Sequence, residues 1–249
     1  MSNPLFTGAN HIALDSVDST NSYAKLLIAG QRPPEGTLIT ASEQTAGRGQ
    51  AESKWHTDAG LNLTASYILY PTFLAADKQF FLNMAVSLAV RELCEEAIND
   101  EIRIKWPNDI YHKNKKLAGI LIENTISGSQ LASSVIGIGL NVNQTEFDPN
   151  IPNPTSLRLA SGQNQTLETI THKLSVYLEK YYLQLRNLHF NFLDKAYMVN
   201  LYRYHQTALY RKDNQEFRGE IVGVTKEGKL IIESNGRQLK FGMKEVEYL

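Results

Sequence analysis

Lys105-Trp106-Pro107-Asn108-Asp109, followed after a short turn by Lys115-Lys116-Leu117-Ala118-Gly119-Ile120-Leu121, is the stretch on which the fold turns. Pro107-Asn108 and Lys113-Asn114-Lys115 are turn material. Glu101 to Lys105, Ile110 to His112 and Lys116 to Asn124 therefore read as successive strands joined by short turns. Gly119 interrupts an otherwise apolar strand, and an interior strand glycine often marks close approach of a ligand or another backbone. Lys116 stands at the mouth of that strand, where its ammonium can meet negative charge.

Upstream, His11 to Leu14 reads as a short strand that ends in Asp18-Ser19-Thr20-Asn21. These residue types cap helices, so a helix is predicted from Thr20 to Gly30. Thr37 to Ala41 is β-branched and apolar and leads into the loop Gln44-Thr45-Ala46-Gly47-Arg48-Gly49-Gln50, which ends at Trp55. Leu61 to Tyr70 is the strand that leaves it. From Lys78 to Asn99, Leu82, Val86, Ala89, Leu93 and Ala97 recur at helical spacing, which predicts a core helix with Cys94 as a small buried group. Downstream, Ser134 to Val142 is a strand, Gln144 to Thr155 a proline-containing loop, and Thr166 to Leu188 and a following segment to about Tyr204 are helical. Beyond His205, Phe217 to Val224, Lys229 to Glu233 and Gln238 to Phe241 are β-rich runs separated by hairpin signals. The expected organisation is a larger domain over residues 1–205 and a small β domain over 206–249.

With 249 residues, 42% hydrophobic and 20% charged, the chain can bury a core without covalent staples. A net charge of -1 gives no sequence-wide attraction to nucleic acid or anionic membrane. A single cysteine cannot form an internal disulfide, which fits a reducing compartment. Without a secretory signal or an apolar run of about 20 residues, the expectation is a cytoplasmic protein that binds neither nucleic acid nor membrane.

The nucleotide fingerprints fail. Glu52 stands where a dinucleotide motif needs its third glycine, Val142 does the same after Gly137-Ile138-Gly139, and no Gly-Lys-Ser/Thr is present. His11, His56, His112, His172, His189 and His205 are scattered, so no metal site is expected from histidine or cysteine. No Gly-x-Ser-x-Gly elbow exists. What is left is a glycine-flanked arginine on a loop and a lysine on a buried strand, able together to hold a phosphate and a carboxylate, which points to adenylation chemistry. Each feature alone has a plainer reading. Arg48 reads as a solvated loop residue, Lys115 and Lys116 as a hairpin tip, Trp106-Pro107 as core packing with a turn, and Ser19-Thr20-Asn21 as a helix cap.

Taken in order, Asp18-Ser19-Thr20-Asn21, Gln44 to Gly49, Trp55, Lys105 to Asp109, Lys116 to Leu121 and Gly137-Ile138-Gly139-Leu140-Asn141-Val142-Asn143 resemble the biotin protein ligases. The resemblance covers residues from about 10 to 160, and the β-rich tail is similar to that family's terminal domain. It implies an α+β fold: a mixed β-sheet with flanking helices, of the class II aminoacyl-tRNA-synthetase-like kind, with a small C-terminal SH3-like β-barrel. The implied reaction is ATP-dependent attachment of biotin to a lysine of a biotin carboxyl carrier protein through biotinyl-5'-AMP, with Mg²⁺ accompanying ATP.

Residue by residue, the resemblance implies that Ser19, Thr20, Asn21, Gln44, Gly47, Arg48, Gly119, Leu121 and Gly137 bind biotin. Arg48, Gly49, Gln50, Trp55, Asn108, Lys116 and Asn141 would bind ATP or the adenylate, and Arg48, Lys116 and Asp109 would be catalytic. The run Gln50-Ala51-Glu52-Ser53-Lys54 departs from the family, whose loop usually continues with glycine. Glu52 is expected to loosen retention of the adenylate. Only about ten residues precede the first strand, too few for the DNA-binding domain of some relatives. Two alternatives stay open: a lipoate or octanoate ligase or transferase on the same fold, and a catalytically weakened biotin-binding module. Monomers and homodimers both occur in the family.

Overall fold

The computed structural model describes residues 3–50 and 53–249. Seven strands form the main sheet: β1 (His11–Val17), β2 (Leu38–Gln44), β3 (Leu63–Leu69), β4 (Ile102–Lys105), β5 (Asp109–His112), β6 (Lys115–Ser127) and β7 (Gln130–Leu140). Their order is β1-β2-β3-β7-β6-β5-β4, with β1 and β2 parallel and every other pair antiparallel. The parallel pair needs a crossover, and helix α1 (Thr20–Gly30) supplies it.

Alternation along the strands assigns the two faces. Ile39, Ile68 and Val135 pack with Ala24 of α1. Their neighbours Leu38, Tyr67, Leu69 and Ile136 belong to the larger core on the opposite face. That core is covered by α2 (Phe80–Ile98), with α3 (Leu157–Ser161), α4 (Leu167–Arg186) and α5 (Phe190–Val199) packed around it. With both faces covered, all seven residues of β3 are buried. Cys94 sits within this core, and burial pushes its thiol pKa up to about 12, so it is a packing group.

The C-terminal part is a second sheet of β8 (Thr207–Lys212), β9 (Gln215–Val224), β10 (Leu230–Ser234), β11 (Arg237–Phe241) and β12 (Glu247–Tyr248), in the order β11-β10-β9-β8-β12. Its described pairings are antiparallel, and none joins β11 to β12. Tyr210, Ile221, Leu230, Ile232 and Phe241 share one continuous core with α2 and the main sheet. The indole of Trp106 donates to the carbonyl of Gly228 at 3.0 Å, tying the main sheet to the β9–β10 turn. Trp106 is thus a core residue that also joins the two sheets.

Most predicted elements occur within a few residues of their expected bounds. The predicted strand from His11 extends to Val17, and the one from Lys116 starts at Lys115 and runs to Ser127. Four elements were not anticipated: a single 3-10 turn at Ala76–Lys78, α3, β8 and β12.

Candidate active site

The register of the main sheet decides what faces α1. Ser66 lies opposite Gly137, Gly137 opposite Leu121, Gly139 opposite Gly119, and Gly119 opposite Asp109, so these residues share one face. Three of them are glycines, which leaves a trough in the sheet. A cavity of about 540 Å³ opens over this trough.

Lys116 reaches that face through a β-bulge. The pairing of β5 with β6 shifts between Ile110↔Ala118 and Tyr111↔Lys116, so Leu117 is an extra residue. Both Leu117 and Ala118 are in the core behind the sheet. Strict alternation would send Lys116 into that core with Ala118, and the bulge turns it to the cavity instead. There its Nζ lies 2.7 Å from Asp109 Oδ1 and 5.7 Å from the centre of the Trp55 ring.

Arg48 arrives from the other side on a pinched loop. Gly49 N donates to Ser53 O at 2.7 Å and Trp55 N to Gly47 O at 3.0 Å. A Cβ on Gly47 would lie 2.3 Å from the Trp55 carbonyl oxygen, so this crossing admits only glycine. The loop returns Trp55 onto the trough, where a Cβ on Gly139 would lie 2.2 Å from the indole. The buried indole Nε1 has no partner among the described residues.

At the α1 end the cavity is lined by hydroxyls and amides. Thr20 N and Oγ1 donate to Gln44 Oε1 at 2.9 and 3.1 Å. Ser66 Oγ lies 2.8 Å from Thr20 Oγ1 and 2.6 Å from Asn21 Oδ1. Ser19 occupies the N-cap position of α1 without a side-chain capping bond, and Ser19, Thr20 and Asn21 face the cavity or its supporting network.

At the opposite end, the Asn108 amide donates to the Ile120 carbonyl, and Ile120 N returns a bond to Asn108 O at 3.1 Å. Asn141 Nδ2 donates to Thr155 O at 2.9 Å, and Lys116 N donates to Asn153 O at 2.7 Å. These bonds hold the 147–154 loop against the cavity, with Asp148, Asn150 and Pro152 in its wall. Lys105 stands nearby with its ammonium 5.0 and 4.8 Å from the rings of Tyr111 and Tyr248. Burial lowers its pKa, against the opposing charge of Asp109.

Of the site residues expected from sequence, Ser19, Thr20, Asn21, Gln44, Arg48, Gly49, Gln50, Trp55, Asn108, Asp109, Lys116, Gly119, Leu121, Gly137 and Asn141 all line this one cavity. Gly47 does not line it; it packs against Trp55 and shapes the loop instead. Glu52 lies outside the described residues. Sequence reasoning gave no site role to Ser66, which bonds Thr20 and Asn21 behind the cavity, or to Gly139, the 147–154 loop and Lys244, which lines the cavity from the turn between β11 and β12. The alternation of Thr64 and Ser66 along an otherwise apolar strand was the available signal for Ser66.

A glycine trough, a basic pair fed from two separate elements and an amide-lined end meet in one cavity, and the family match and relatives that follow make the chain an adenylate-forming ligase. The chain belongs to the biotin/lipoate A/B protein ligase family, whose model matches residues 13–141. It is 33% identical over 234 residues to the bifunctional ligase/repressor BirA of Bacillus subtilis, covering 92% of this chain and 70% of that protein. To the biotin--[acetyl-CoA-carboxylase] ligase of Paracoccus denitrificans it is 29% identical, covering 91% of this chain and 95% of that one. The biotin protein ligase of Aquifex aeolicus, solved in complex with biotin and ATP, superposes with a TM-score of 0.80 at 25% identity, over 97% of this chain and all of that one. Among the described residues, no helix is long and apolar enough to cross a membrane.

Proposed function

We propose that the cavity binds biotin with its ring at the Ser19–Thr20–Asn21–Gln44 end and its carboxylate toward Arg48 and Lys116, and ATP between Trp55, Asn108, Lys116 and Asn141. The biotin ring carries two N–H donors and one carbonyl, which hydroxyls and amides complement. A carboxylate oxygen of biotin attacks the α-phosphorus of ATP, the bond to the β-phosphate oxygen breaks, and pyrophosphate leaves. The amine of an acceptor lysine then attacks the activated carbonyl, AMP departs, and the amine proton is lost to give the amide.

Arg48 and Lys116 reduce repulsion between the two anions before bond formation and stabilise the charge that grows on phosphate oxygens. Asp109 fixes the ammonium of Lys116, and Gly119 and Gly137 let the ligand lie against the backbone. Among the described residues no three histidine, cysteine or carboxylate side chains cluster as a metal site. Magnesium would accompany the nucleotide and offset phosphate charge, and Asp109 and Asp148, the carboxylates that line the cavity, are the residues that would hold it. The acceptor in this reading is the biotin carboxyl carrier domain of a carboxylase. The division into a catalytic domain (1–205) and a C-terminal β domain (206–249) with an SH3-like barrel fold, and cytoplasmic residence, belong to the same reading.

The observation that carries it is the convergence of Arg48 and Lys116, brought by a loop and a bulged strand, on one glycine-floored cavity. Biotin-dependent exchange of pyrophosphate into ATP tests it. The expected result is exchange that requires biotin and is not supported by lipoate; exchange supported by lipoate alone would transfer the site to the other acid.

A further inference from the structure

We propose that Glu123 is a positioning residue for the adenylation step: it holds Arg48, and an anion bound in the cavity competes with it for Arg48. This rests on Arg48 binding the ligand's carboxylate and phosphate. Glu123 lies on β6 opposite Val135, two residues beyond Leu121, on the face that carries the cavity. It does not line the cavity, whereas Arg48 does.

Its carboxylate gathers three donors from three elements. Asn21 Nδ2 of α1 donates at 2.9 Å, Lys25 Nζ one turn further along α1 at 2.6 Å, and Arg48 Nη2 of the loop at 3.0 Å. Burial alone would raise its pKa, but the bonds from Lys25 and Asn21 and the charge of Arg48 outweigh that and hold it below the ordinary carboxylate range. Glu123 is therefore a fixed negative charge at neutral pH.

Arg48 spends one of its five donors on this carboxylate, and a guanidinium drawn toward Glu123 is held back from a ligand anion, so the two compete. Lys25 decides how hard the competition is. When Arg48 leaves, Glu123 keeps the ammonium of Lys25 and the amide of Asn21, so no bare carboxylate is left behind. The Arg48–Glu123 pair is also partly solvated, with side chains 40% and 24% exposed, which makes it a weak hold and a releasable one. Because Asn21 also bonds Ser66, the same carboxylate joins the amide-lined end of the cavity to the phosphate side.

Glu123→Gln removes the charge while leaving an oxygen for Asn21. In pyrophosphate exchange its KM for biotin should fall by about twofold to fivefold, the scale of a partly exposed ion pair, with kcat moving less than about twofold. In an Arg48→Ala background the same change should move KM no further. Lys25→Met, at an exposed side chain, removes the cation that shares Glu123, tightens the hold on Arg48, and should raise KM by a similar factor. This second variant decides by its sign if Glu123→Gln does not fold. An unchanged or raised KM in Glu123→Gln, an equal fall in the Arg48→Ala background, or a KM that does not rise in Lys25→Met overturns the inference and leaves the ligase reading standing. A wild-type protein without biotin-dependent exchange would overturn both.

Discussion

Lys116 shows how much chemistry depends on one extra residue in a strand. Sequence reading places it at the mouth of an apolar strand and leaves two fates open, hairpin tip or anion site. Composition could not choose, because the choice is made by the bulge at Leu117, a matter of pairing between β5 and β6 that no local pattern announces. Gly119 drew notice by residue type, as an interior glycine in an apolar strand, whereas Gly137 and Arg48 entered only through the ordered resemblance, because a loop arginine alone reads as solvated. Ser66 and Glu123 were not, because their importance lies in partners 45 and 75 positions away in the chain. Lys116→Ala should lower the rate of biotin-dependent pyrophosphate exchange on the order of 100-fold, the usual scale for loss of a charge-stabilising donor. Near-normal exchange in a folded Lys116→Ala protein would remove the lysine from the chemistry.

At the scale of elements, long and strongly patterned segments were legible and short or one-sided ones were not. The α2 pattern was clear because its apolar stripe meets both a sheet and three helices. Strand β8 was missed because only Tyr210 among its six residues is buried, and β12 has two residues, too few for any period. Helix α4 does work its stripe does not reveal. Glu179, 6% exposed, accepts the backbone N–H groups of Leu5, Phe6 and Thr7 at 2.7, 2.9 and 3.1 Å, fastening the N-terminal segment to the helix. Burial opposes its charge, but these bonds prevail and hold its pKa below the ordinary value. A depressed folded pKa gives stability that is present above the unfolded value and lost as pH falls through the folded one. Glu179→Gln should therefore destabilise the protein by about 1–3 kcal/mol at pH 7 in urea unfolding, with the difference shrinking in acid. Equal unfolding midpoints at pH 7 would show that the clamp contributes nothing.

The whole molecule joins two sheets through one core, and the site draws on both parts, since Lys244 in the turn between β11 and β12 completes the cavity wall. The β-rich tail was legible from its hairpin signals, but its attachment was not, because the Trp106–Gly228 bond spans 122 positions. Trp106→Phe keeps most of the packing and deletes that bond, an expected loss of about 1 kcal/mol and about 2–4 °C in Tm. An unchanged Tm would mean that the shared core alone holds the sheets together. The central claim, that this assembly activates biotin and passes it to a protein amine, is tested most directly by the mass of a biotin carboxyl carrier domain after incubation with the protein, biotin, ATP and magnesium. The account predicts gain of one biotinyl group on a single acceptor lysine, dependent on both biotin and ATP. An acceptor of unchanged mass, or one labelled only when lipoate replaces biotin, would contradict it.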